Sequence, residues 1–136
     1  MTIDKLFLDA NILFSAAYGS RGLNRLWEFF DKGICVLIAS KYVIEEAKRN
    51  LNSPEQLNHL EKMLVNVKTV PEIDQTIESP IDLPDKDKPV LLSAISAKAD
   101  YLITGDITHF GKYFGRSVMG VRICTAREYI LSKLRR

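Results

Sequence analysis

The chain has 136 residues, 46% of them hydrophobic and 26% charged, with a net charge of +2. That is the size and composition of one ordinary globular domain with a normal core, so residues 1–136 are expected to form a single domain. No apolar run is long enough to span a membrane, and the start MTIDKLFLDAN meets an acid too early for a signal peptide.

In chain order, Leu6–Leu8 is a short apolar run ending at an acid and reads as a buried strand. Residues 22–30 place Leu23, Leu26, Trp27 and Phe30 at helical spacing, with Gly33 as the stop. Trp27 and the Phe29-Phe30 pair read as core or dimer contacts. Residues 34–39 form a second strand, and Ser40 caps a helix through Leu51. Ser53-Pro54-Glu55 opens another helix with Leu57, Leu60, Met63 and Leu64 as its stripe. Residues 65–70 read as a third strand and 71–86 as an acidic connector. A helix over 87–98, a strand over 101–104, a turn at Gly105 and a helical piece near Phe110 follow. The last strand is 121–124, and Thr125 caps a final helix ending in Lys133, Arg135 and Arg136, cations that suit a helix carboxyl end. Strands alternating with helices, several strands being continuous apolar runs, predict an α/β fold: a three-layer α/β/α sandwich around a mainly parallel sheet of about five strands.

In such sheets functional groups gather at the carboxyl ends of strands. Asp9 ends the first strand, and Thr104 and Asp106 end the fourth. Asp87 lies four and seven residues before Leu91 and Ala94, hence on the sheet-facing side of its helix, with Asp85 as the alternative two residues away. On the helix after the second strand, Glu46 falls nearer the stripe of Val43, Ile44, Ala47 and Leu51 than Glu45 does. Each acid also has a structural reading: Asp9 as a strand end followed by an Asn11 cap, Asp85 or Asp87 and Asp106 as caps, Glu46 as a surface residue. Asp100 sits at the amino end of its strand, the wrong end for a site. Four inward carboxylates at one end repel one another and invite a divalent cation, Mg²⁺ or Mn²⁺, with which phosphodiester hydrolysis is a natural chemistry.

Charge is uneven. Residues 71–88 carry six acids and two bases, and residues 98–136 eight bases and three acids. A basic half beside an acidic site suits a polyanion, although solvated surface explains it equally well. Cys35 and Cys124 lie in apolar surroundings and read as buried thiols of a reducing, cytoplasmic compartment.

The segments FLDANIL (7–13), SKYVIEEAKRNL (40–51), DLPDKDKPVLLSAISAKADYLITGD (82–106) and ITHFGKYFG (107–115) resemble the PIN-domain family, and within it the VapC-like toxins of toxin–antitoxin pairs. The resemblance covers nearly the whole chain. It implies a metal-dependent ribonuclease acting on single-stranded RNA, with Asp9, Glu46, Asp87 and Asp106 as catalytic metal ligands. Asn11 and Thr104 match polar positions lining such sites. His109 follows a pattern of this branch and is a candidate phosphate contact. A cognate antitoxin that puts a basic residue into the acidic site, and a homodimer, are also implied. Two other readings compete: a haloacid-dehalogenase-like phosphotransferase, whose second acid is missing from Asp9-Ala10-Asn11, and an RNA-binding module with a degenerate site.

Overall fold

The computed structural model describes residues 2–71, 73 and 77–134. The order of elements is β1 (Asp4–Leu8), α1 (Ala10–Ala17), α2 (Arg21–Asp31), β2 (Cys35–Ser40), α3 (Lys41–Arg49), α4 (Pro54–Leu64) and β3 (Val67–Val70). Then come α5 (Lys88–Ser96), β4 (Tyr101–Ile103), α6 (Ile107–Phe110), a 3-10 turn (Gly111–Tyr113), β5 (Ser117–Val118), β6 (Val121–Cys124) and α7 (Ala126–Leu134). The six strands form one sheet in the order β3-β2-β1-β4-β6-β5, parallel except for the β5–β6 hairpin. This is the α/β arrangement expected, with a sixth strand added.

Register is set by apolar pairs. Leu6 faces Leu37 and Phe7 faces Ile38 across β1–β2, while Leu8 faces Ile103 and Ile103 faces Cys124 on the other side. Successive residues on a strand point to opposite faces. Leu6, Phe7 and Leu8 are nevertheless all fully buried, so both faces of the central strand are covered by helices.

The caps follow the sequence closely. Ser40 accepts from Val43 N at 3.3 Å and Ser53 from Gln56 N at 3.0 Å, with Pro54 in the first turn of α4. Thr125 and Glu128 form a reciprocal capping box at the start of α7. At the amino end of the sheet, Asp4 accepts from the Tyr129 hydroxyl at 2.8 Å and pairs with Lys133 at 2.6 Å, which anchors α7 far from the strand carboxyl ends. Asp100 belongs to the same end, where its side chain accepts from Lys5 N. Cys35 and Cys124 are free, buried thiols, and burial pushes both up to about 12.

Several boundaries differ from expectation by a residue or two, and two elements were not expected at all. The third strand starts at Val67, because Val65 and Asn66 close α4, and Val65 is 81% exposed. The fourth ends at Ile103; Thr104 N still bonds Cys124 O, but the residue already belongs to the loop. Helix α1 was not marked by amphipathic spacing, because Ala10, Ile12, Leu13, Ala16 and Ala17 are all buried and leave almost no polar face. Its cap is Asp9, two residues before Asn11. Strand β5 has only two residues, and its hairpin turns through Met119 and Gly120, both with positive φ. Part of the 71–86 connector, and Arg135 and Arg136, lie outside the described residues; no helix or strand occurs among the described residues of the connector.

Candidate active site

Strand order reverses between β1 and β4: from β1 the chain moves out to β2 and β3, and from β4 to β6. Loops leaving the carboxyl ends of these two neighbours diverge and open a crevice, the place where open α/β sheets take ligands. Asp9 leaves β1 there and Thr104 to Asp106 leave β4.

Asp9 is buried and fully engaged. Its Oδ1 accepts from Ala10 N at 2.7 Å, and its Oδ2 accepts from the Thr104 hydroxyl at 2.7 Å and from Asn11 Nδ2 at 3.2 Å. Thr104 is wholly buried, and its oxygen accepts in turn from Asp106 N at 3.1 Å. Asn11 Oδ1 accepts from Gly105 N at 2.8 Å. A Cβ at Gly105 would lie 3.4 Å from that oxygen, in ordinary contact, so the clamp rests on the backbone N–H and not on the absence of a side chain. Asn11 and Thr104 thus stitch the ends of β1 and β4 together and aim Asp9.

Asp87 is held by a different set of ties. Its backbone N bonds Pro84 O, the Tyr42 hydroxyl of α3 donates to Lys86 O, and the Tyr113 hydroxyl donates to Asp82 O. Asp87 occupies the cap position of α5, yet its side chain caps nothing, and its buried Oδ2 has no hydrogen-bond partner. Asp106 caps α6 through Oδ1, which accepts from His109 N at 3.1 Å. Its Oδ2 lies 2.8 Å from His109 Nδ1.

These residues line one open cleft of about 500 Å³ formed by Asp9, Ala10, Asn11, Phe14, Glu46, Asn50, Lys86, Asp87 and Asp106. Glu46 reaches it from α3, while Glu45 is exposed on the far side of that helix. Asp85 stands outside. Its side chain is almost fully exposed, pairs with Lys88 at 3.0 Å, and faces a larger cavity of about 710 Å³ along residues 77–92. Among the described residues, Asp87, Asp106 and His109 are the one group that brings three candidate ligand atoms within 4.8 Å of one another; Asp87 and Asp106 share the cleft with Asp9 and Glu46, whereas His109 stands behind them and lines a neighbouring hollow with Pro84, Thr108 and Lys112. Phe14, Asn50 and Lys86 were not anticipated. Asn50 follows the expected Glu46 by one helical turn, which was the readable signal, whereas Phe14 follows Ala10, itself not an expected cleft residue.

The crowding shows in the acids' proton affinities. Burial raises Asp9 from 3.8 to about 6; hydrogen bonds from Thr104 and Ala10 oppose this, and the charges of Asp87 and Glu46 add to it. Burial also raises Asp87, against the pull of His109 and with a further push from Asp106. Carboxylates that resist ionisation and a buried oxygen without a partner are features a divalent cation would relieve, so the residues present fit such an ion.

Thr104→Val tests the clamp. It removes the hydroxyl that serves Asp9, Asn11 and Asp106 N, leaving polar groups unpaired at a buried position. The expected loss is about 2 kcal/mol of stability in chemical denaturation, with the strands' cooperativity unchanged. A loss within error would mean that the hydroxyl holds nothing in place.

The PIN-domain family model matches residues 5–108. No curated protein matches the chain. Among solved structures, the chain is similar to VapBC2 from Rickettsia felis, described as bound to a DNA fragment from its promoter, with a TM-score of 0.66 and 14% identity over 89% of this chain and 98% of that one. It is also similar to PAE2754 from Pyrobaculum aerophilum, with a TM-score of 0.57 and 15% identity over 100% of both chains. At those identities the structures speak for the fold, while the family match covers most of the chain and includes Asp9, Glu46, Asp87 and Asp106. The chain therefore belongs to the PIN-domain family, whose members are generally nucleases.

Proposed function

We propose that residues 1–136 form one PIN nuclease domain that hydrolyses phosphodiester bonds of single-stranded RNA with a divalent cation, Mg²⁺ or Mn²⁺, held by Asp9, Glu46, Asp87 and Asp106. The observation that carries this reading is the cleft at the β1–β4 switch point, where the acids converge and one buried oxygen of Asp87 has no hydrogen bond. A cation bound there would neutralise phosphate charge and ease deprotonation of an attacking water. The chain's own residues do the rest. Asn11 and Thr104 orient Asp9 and serve as positioning residues, with substrate contact secondary. Glu46, across the cleft, would accept a proton from water. Lys86, on the rim, would hold a flanking phosphate.

The phosphotransferase alternative needs a free, nucleophilic oxygen on Asp9. Both of its oxygens accept hydrogen bonds, which leaves neither free to attack phosphorus. A toxin role within a type II toxin–antitoxin pair rests on the likeness to VapBC2 and on the acidic cleft, which would accept a basic side chain of an antitoxin. A homodimer acting in the cytoplasm completes that picture. No described helix is long and apolar enough to cross a membrane.

A cleavage assay on a mixed RNA pool tests the reading. With Mn²⁺ the protein should cut, EDTA should stop it, and no product should end in a 2′,3′-cyclic phosphate, because water attacks phosphorus. Asp106→Asn should be inactive. No cleavage by wild type, or unaltered cleavage by Asp106→Asn, would end the proposal.

A further inference from the structure

His109 follows Asp106 by three residues, so one turn of α6 brings its ring back over the acid that caps that helix. Its Nδ1 is 2.8 Å from Asp106 Oδ2 and 2.9 Å from Asp87 Oδ2. One ring nitrogen carries at most one hydrogen, so it cannot give each carboxylate a full hydrogen bond of its own. The Asp106 oxygen meets the ring nitrogen in hydrogen-bond geometry, and the Asp87 oxygen, buried and 2.9 Å from the same nitrogen, has no hydrogen bond. Three donor atoms from three residues therefore lie within 4.8 Å of one another while satisfying only one pair among themselves.

Neighbouring ligands on an octahedral ion with bonds of about 2.1–2.2 Å lie about 3 Å apart. The two separations from Nδ1 match that edge. We propose that His109 binds the site's divalent ion through Nδ1, beside Asp87 and Asp106, and that this nitrogen biases the site toward Mn²⁺ over Mg²⁺. The inference rests on the nuclease reading above and deepens it. Oxygen-only sets suit Mg²⁺, whereas imidazole raises affinity for transition ions more than for Mg²⁺. Binding through Nδ1 places the ring hydrogen on Nε2. His109 then stops being a phosphate contact and becomes part of the ion's own shell.

Pulsed EPR of Mn²⁺ bound to the full chain reads this directly. Wild type should show a nitrogen coupled to the ion as a direct ligand, and His109→Asn should lose it. Calorimetric titration with Mn²⁺ and with Mg²⁺ should show the Mn²⁺ preference falling on the order of tenfold in His109→Asn, since asparagine offers an oxygen in nearly the same place. Asp87→Asn and Asp106→Asn, by weakening Mn²⁺ binding, tie the signal to this cleft. Bound Mn²⁺ with no directly coordinated nitrogen in wild type, or an unchanged preference in His109→Asn, overturns the proposal and leaves the nuclease reading standing. No Mn²⁺ binding by wild type overturns both. Should His109→Asn not fold, the wild-type spectrum alone decides.

Discussion

Asp9→Asn will lower RNA cleavage by roughly a hundredfold or more, about 3 kcal/mol in the transition state, while leaving the metal-free protein at least as stable as wild type at pH 8. The two effects separate because Asp9 does two jobs. As a cap, asparagine serves as well as aspartate, and its oxygen can still accept from Ala10 N. The amide nitrogen that replaces Oδ2 meets two donors. The Thr104 hydroxyl can rotate to accept, and the 3.2 Å bond from Asn11 is lost, at about 1 kcal/mol. Against that, the variant removes a buried carboxylate whose ionisation at pH 8 costs the fold roughly 3 kcal/mol, given its rise to about 6. Relief of charge outweighs the lost bond. Thermal melts in EDTA beside cleavage rates would show it, and a strongly destabilised Asp9→Asn would refute the electrostatic account.

Metal-free wild type will lose stability as pH rises from about 4 to about 7, and a divalent ion will restore it. The sign follows from the direction of the shift. Asp9 holds its proton more tightly in the fold, at about 6, than in the unfolded chain, at about 3.9. Below both values neither state is penalised. Between them the unfolded chain releases its proton first, so the fold falls behind, by roughly 3 kcal/mol once pH exceeds both. Asp87 is raised for the same cause and pushes the same way. Mn²⁺ binds the ionised acids, so its stabilisation should be small at pH 4.5 and large at pH 7.5. Equal stabilisation at both pH values would mean that the ion does not compete with these protons. The wild-type minus Asp9→Asn difference isolates the Asp9 share.

Much of the frame was legible because its signals are local. Continuous apolar runs mark β1, β2, β4 and β6, and Ser40, Ser53 and Thr125 mark helix starts that the structure shows as capping bonds. Helical phase places Glu46 in the cleft and leaves Glu45 outside, and spacing to Leu91 and Ala94 puts Asp87 inward while Asp85 faces solvent. What was hidden depends on juxtaposition. A spacing of three brings His109 to Asp106, but its approach to Asp87, 22 positions away, is tertiary, and no periodicity encodes it. The clamp of Asn11 onto Gly105 spans 94 positions and is likewise tertiary. Helix α1 escaped notice for the opposite reason, being too apolar for a period to show.

Asp9, Asp87 and Asp106 each stand at the start of a helix, α1, α5 and the single turn α6. A helix start carries partial positive charge, up to about half a unit, from its unpaired N–H groups. Asp9 and Asp106 each accept one of those N–H groups, whereas the Asp87 side chain accepts none. Of the three, Asp87 therefore has the least backbone support, and its charge is the one that a bound cation would offset most.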